Sequence, residues 1–233
     1  SDEEYEFIQR FLFNEKRPEL QDTVNIIIDC FHIPTKFNHI VSSLNSDSDP
    51  EAQRILNELK VGIHERLLSS MENTAQRFMP LLNNGDISFL ADDTNRNLFM
   101  LHLCFQYLRT KRMKEKILAN DISRINEHYN GRIKLENLWG VISVAFAFQI
   151  GMGIFNLLPK YHFRAIHNKS SVQFITGDQP VINIADTDRP LGQAPTSLEF
   201  YQPITPTVAL FMSRRFDSDS SVNIDDSEMI EEY

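Results

Sequence analysis

Apolar residues recur every three or four positions from the start of the chain to about Pro159, and every second position thereafter. Over Asp2 to Phe13 the helical spacing sets Tyr5, Ile8, Phe11 and Leu12 on one face. Pro18 suits the first turn of a second helix, with Leu20, Val24, Ile27, Ile28 and Phe31 on its core face until Pro34 breaks it. Phe37 to Leu44 reads as a short helix and Asn45 to Pro50 as a polar loop. Glu51 to Leu82 is expected as one long helix with an apolar stripe of Ile55, Leu59, Ile63, Leu67, Met71, Phe78 and Leu82. Asn83-Asn84-Gly85-Asp86 stops it, and Asp92 or Asp93 is placed to cap the next.

That next helix is expected from Thr94 to about Ala119, with Leu98, Leu101, Phe105 and Leu108 as its apolar stripe. A neighbouring stripe carries His102, Gln106, Arg109 and Met113, at spacings of four, three and four. A short helix is expected over Asp121 to Asn130. From Asn137 to Pro159 no residue is charged. A helix apolar on every side suits the centre of a helical domain, and it is long enough for a bilayer. Asn137, Ser143, Gln149, Asn156 and three glycines weigh against the bilayer, so no membrane contact is expected. Strand patterns follow at Tyr161 to Ile166, Val172 to Thr176, Val181 to Ile184, Leu198 to Tyr201 and Thr207 to Met212.

The expected fold is mainly α with a small antiparallel β region (α+β), a helical core followed by a C-terminal sheet. No composition shift marks a domain boundary. One domain is expected over residues 1–233, with a helical region over 1–159, a β region over 160–212 and a polar segment over 213–233. A length of 233 residues with 42% hydrophobic content suits one core. The net charge of −9 disfavours broad binding to nucleic acid, though a local basic patch is compatible with it. Cys30 and Cys104 lie in apolar runs and read as free thiols of a reducing compartment. Ser1 to Glu6 is acidic and unlike a secretory signal, so the cytoplasm is the expected location.

Gly-rich phosphate loops, CxxC, HExxH and GxSxG are all absent. Candidate chemistry therefore rests on isolated polar residues. Gln106 and Arg109 border an apolar stripe, where polar groups are costly unless paired. Arg109 offers a planar fork for carboxylate or phosphate, and Glu65 and Glu72 of the preceding helix are its candidate partners. The basic run from Arg109 to Lys116 reads as a helix C-terminus, where cations need no ligand. In Val172 to Ile184 (VQFITGDQPVINI), Asp178 sits at a turn that Pro180 then stiffens.

Four motifs stand in order: Met71-Glu72, then Gln106-Tyr107-Leu108-Arg109-Thr110, then Phe174-Ile175-Thr176-Gly177-Asp178-Gln179-Pro180-Val181, then Gln202-Pro203-Ile204-Thr205-Pro206. In this order they resemble a bacterial family of unknown function, domain-of-unknown-function (DUF) family 4238. The likeness runs over about Leu56 to Met212. Gly177 replaces the family's usual Ser, and the family's N-terminal His-x-x-Pro segment finds no match. The family has no settled activity, so the resemblance implies a fold and a polar centre, not a reaction.

Two readings follow. In the first, Glu72, Gln106, Arg109 and Asp178 share a cleft as the catalytic residues of a nuclease-like hydrolase. Glu72 and Asp178 would hold a divalent cation, Mg or Mn, Arg109 would neutralise a phosphodiester, and Lys111, Arg112 and Lys114 would steer nucleic acid. A role in phage defence would fit. In the second, the chain is a non-catalytic helical scaffold or protein-partner module, and the same residues are a buried structural network.

Overall fold

The computed structural model describes residues 2–12, 21–22, 24–29, 32, 72–119, 132–155, 160–186 and 197–225, with isolated positions between 50 and 70. The short helices expected at 37–44 and 121–130 lie outside the described residues. So do Cys30, Glu65 and the stripe from Ile55 to Met71. The architecture is α+β: helices first, then a five-stranded sheet.

Helix α1 (Asp2–Phe11) buries Phe7 and Ile8, and Leu12 just beyond it is buried as well. Described positions over 21–29 are helical, with Val24, Ile27 and Ile28 buried. The helix expected to reach Leu82 instead turns at Arg77 and Phe78 and restarts as one turn, Met79–Leu82. Pro80 explains the break, because it has no N–H for the carbonyl four residues back. Gly85 then takes φ +69°, and a Cβ there would meet the His167 ring at 2.1 Å.

Helix α2 (Asp93–Leu108) starts where the Asp92 carboxylate accepts the Asn95 N–H at 2.8 Å. It stops at Leu108, well short of the expected end near Ala119. The Thr110 hydroxyl accepts the Met113 N–H at 3.3 Å, and Lys114 N–H reaches the Thr110 carbonyl at 3.0 Å. Thr110 is therefore the N-cap of a separate helix over residues 111–119.

Helix α3 (Leu135–Phe155) is uncharged after Glu136 in its first turn, and it packs along α2. Glu136–Ile154 is long and apolar enough to cross a membrane by length and composition. From Leu138 to Ile154, however, every residue is buried or half-buried within the fold. Gly151 lets the helices approach: a Cβ there would lie 3.1 Å from Leu101 Cδ1. Gln149 is satisfied by donating to the Leu12 carbonyl at 2.7 Å, which ties α3 to the end of α1.

The sheet runs in the order β2-β3-β4-β1-β5. Its strands are β1 (His162–Asn168), β2 (Ile182–Asn183), β3 (Phe200–Thr205), β4 (Val208–Ser213) and β5 (Ser220–Ile224). Phe163, Ala165, Phe200, Leu210 and Met212 face the helices, where Phe163 meets Phe99 and Phe200 meets Tyr107. The outer face carries a small second cluster of Ile166, Ala209 and Ile224, covered by Phe174, Tyr201, Phe211 and Val222.

Two expectations for the β region need correction. Val172 to Thr176 is not a strand but a loop, anchored by Phe174 N–H on the Pro206 carbonyl at 3.0 Å. The sheet is mixed rather than antiparallel, because β5 pairs parallel with β1. β5 also lies inside the segment read as merely polar. As an edge strand of Ser, Val and Asn it buries little and leaves almost no apolar pattern.

Residues 214–219 carry the chain from β4 across the start of β1 to β5. Arg96, from the first turns of α2, clamps this crossover. Its Nη1 donates to Asp219 Oδ2 at 2.7 Å and to the Leu90 carbonyl at 3.0 Å. Its Nη2 donates to Asp219 Oδ1 at 3.0 Å and to the Tyr161 carbonyl at 2.8 Å. Asp219 Oδ1 also accepts the Phe163 N–H at 2.8 Å. Burial works to raise the Asp219 pKa. The Arg96 and Phe163 hydrogen bonds, with the charges of Arg96 and His162, outweigh it and hold the carboxyl below its usual range.

Asp219→Ala should therefore destabilise the fold by about 3–5 kcal/mol, because it strands a largely buried guanidinium. Asp219→Asn should cost less, as the amide oxygen still accepts one bond. Urea unfolding of the two variants measures the difference.

Candidate functional site

The spacing of His102, Gln106 and Arg109 sets all three on one face of α2 and its C-terminal end. His102 and Gln106 are each 8% exposed, and neither makes a side-chain hydrogen bond among the described residues. Arg109 is the C-cap of α2, so its side chain leaves the helix where solvent begins. Its Nη1 donates to Glu72 Oε1, with the two side chains 45% and 44% exposed.

The three residues on α2 and Glu72 thus form a polar centre, open at the ion pair and closed at His102. Burial pushes His102 down to about 4; the Arg109 charge pushes the same way and the Glu72 charge partly opposes it. At neutral pH its imidazole is uncharged, so it offers one donor and one acceptor. Glu72 engages a single guanidinium nitrogen, which leaves the rest of the fork free for an anion. A groove of about 640 Å³ is lined by Gly62, Arg66, Ser69, Ser70, Asn73 and Thr74, and none of the four residues of this centre lines it.

Asp178 is placed differently. It is exposed and makes no hydrogen bond or ion pair among the described residues. Ile182 pairs with Tyr201 and Asn183 with Phe200, antiparallel, so the chain before β2 runs toward the Thr205 end of β3. Tyr107 packs on Phe200, its ring tilted, at the opposite end, roughly 15 Å away along the strand at ~3.3 Å per residue. Arg109 meets Glu72, with Gln106 one turn away on α2; among the described residues no hydrogen bond or ion pair joins Asp178 to them. Among the described residues no three His, Cys, Asp or Glu side chains gather to hold a metal ion.

The basic run also changes meaning. Lys111 and Arg112 open the 111–119 helix, so they lie at the end where the macrodipole opposes cations, at roughly 0.3–1 kcal/mol each. A helix C-terminus therefore does not account for their charge. Among the described residues Lys111 meets Glu115, at 3.8 Å, and Lys114 reaches the Glu136 carbonyl at 3.4 Å. Gly177 loses little by not being Ser, since a Cβ there has nothing within 4 Å. Gln202 is buried on β3, with its Oε1 unpartnered among the described residues.

Sequence reasoning placed His102 in the right stripe but left it out of the candidate site. Its closeness to Glu72 and Arg109 depends on how two helices pack, which spacing along one helix does not report.

Two outcomes are expected. Arg109→Ala should cost about 1 kcal/mol or less in chemical denaturation, because a half-exposed pair is weak; a buried pair would bring a larger loss. His102 should make the fold acid-sensitive. Its folded pKa lies below the unfolded value near 6.5, so its stability is complete above pH ~6.5 and is lost as pH falls toward 4. The loss approaches about 3 kcal/mol. His102→Leu should flatten the stability profile over that window.

No curated protein and no solved structure matches the chain. A family profile described as a protein of unknown function (DUF4238) matches residues 57–233, most of the sequence. The chain belongs to the DUF4238 family.

Proposed function

We propose that the protein is a nuclease-like hydrolase of phosphodiesters, with Glu72, Gln106, Arg109 and Asp178 as its working residues. The observation that carries this reading is the half-open Arg109–Glu72 pair beside two buried polar side chains that have no partner among the described residues. A purely structural lock would close the pair.

Arg109 would take two phosphate oxygens with its fork. Glu72, relieved of Arg109, would accept a proton from the attacking water. The water oxygen bonds to phosphorus as the bond to the leaving oxygen breaks, and solvent protonates that oxygen. Gln106 would orient the phosphate by its amide. Arg112 and Lys114, with Lys111, would guide the nucleic acid. Mg or Mn would be held by carboxylate oxygen of Glu72 or Asp178 together with water and substrate oxygens, the sparse protein ligation that Mg accepts. It would supply charge neutralisation at the phosphate. The reading places the enzyme in a bacterial cytoplasm, where a buried free thiol such as Cys104 is at home. A nuclease of this kind would suit phage defence.

The scaffold reading is favoured by one observation: Glu72 and Asp178 do not converge on a metal-sized site among the described residues. Cleavage assays with single- and double-stranded DNA and RNA, in Mg or Mn and then EDTA, separate the two. The hydrolase reading expects cation-dependent cleavage that falls at least about 100-fold in Glu72→Gln and Arg109→Ala, with folding unchanged. A wild-type chain inert on every substrate leaves the scaffold.

A further inference from the structure

We infer that the centre is completed by a second copy of the chain: the loop that carries Asp178 in one protomer docks on the Arg109 face of the other. The catalytic meaning of this contact rests on the hydrolase reading; the contact itself does not.

The loop between β1 and β2 is held firmly at both ends. Asn168 Oδ1 accepts the Ser170 N–H at 2.8 Å, and Asn168 Nδ2 donates to the Val172 carbonyl at 2.6 Å. Phe174 is fixed to the Pro206 carbonyl and packs against Tyr201. At the other end Val181 is fully buried. Between these anchors Ile175 is 87% exposed, and Asp178 has no partner among the described residues. A lone exposed apolar residue is ordinary. An isoleucine three residues from an unpaired carboxylate, on a loop pinned at both ends, is a preorganised knob that would lose little entropy on docking.

The complementary surface lies on the same chain. Arg109, Lys111 and Arg112 are exposed, and their ion pairs among the described residues are those with Glu72 and Glu115. Lys111 and Arg112 sit where their own helix disfavours them, so a carboxylate from outside relieves a repulsion that the fold leaves in place. Within one protomer the β2–β3 register carries Asp178 away from the end of β3 that Tyr107 contacts. A second copy is the occupant that carries both halves of the match. A two-fold pairing then forms two identical contacts, and each centre receives its second carboxylate from the partner.

Sedimentation velocity of the full chain over a wide concentration range tests this. The wild type should dimerise and dissociate on dilution. Asp178→Arg and Arg109→Asp should each raise the dimer dissociation constant at least about 100-fold. An equimolar mixture of the two variants should recover the dimer, since one contact is then native and the other a reversed charge pair. Ile175→Asp, at a position too exposed to affect folding, should also give monomer. A wild type that stays monomeric, an Asp178→Arg variant that dimerises normally, a mixture that fails to recover, or a dimer seen only with nucleic acid present overturns the docking. A stable dimer without nuclease activity leaves the docking and removes the hydrolase reading. An active monomer does the reverse.

Discussion

The fold closes on the fork between Arg96 and Asp219. A guanidinium in the first turns of α2 reaches two backbone carbonyls and one carboxylate, and that carboxylate also takes a backbone N–H of β1. The helical layer, the start of β1 and the crossover to β5 therefore meet at one charge pair. Without Asp219, Arg96 would be a cation largely out of water and the Phe163 N–H of β1 would lose its acceptor. The pair is worth more than a surface ion pair because its desolvation cost is offset by further hydrogen bonds to the backbone.

Arg109 and Glu72 make the contrast. The same two chemical groups meet at the other end of α2, yet nearly half of each side chain stays in water. Such a pair adds little to stability and exchanges easily with an incoming anion. One helix thus carries a structural arginine near its start and an available arginine at its end. The buried His102 and Gln106 lie on the available side, where the fold tolerates polar groups that have no partner among the described residues.

Much of this was legible in the residues. The uncharged run became a helix that is buried or half-buried from Leu138 to Ile154 because most of its residues are apolar, and its one glutamine found the Leu12 carbonyl. β1 and β4 were marked by runs such as Thr207 to Met212. What was not legible came from local chemistry competing with period. Thr110 sits in the middle of a continuous helical pattern, but its hydroxyl serves a cap better than an interior position. Pro80 divides a stripe that Phe78 and Leu82 otherwise continue. Ser220 to Ile224 lacks an apolar signal because an edge strand needs little of one. The kind of residue alone points Asp178 toward the helical centre; the direction of the chain that carries it is set by strand register, which a single turn does not encode.

The clamp also sets a timetable. Arg96 and Asp219 are 123 residues apart, so a ribosome releases the arginine long before its carboxylate exists. Until residues beyond 219 emerge, the α2 layer holds an unneutralised cation and β1 presents an open edge, the kind of surface that pairs with the wrong chain. Emergence of Asp219 and β5 removes both at once. A ribosome stalled after β4 would display that open edge until β5 arrives.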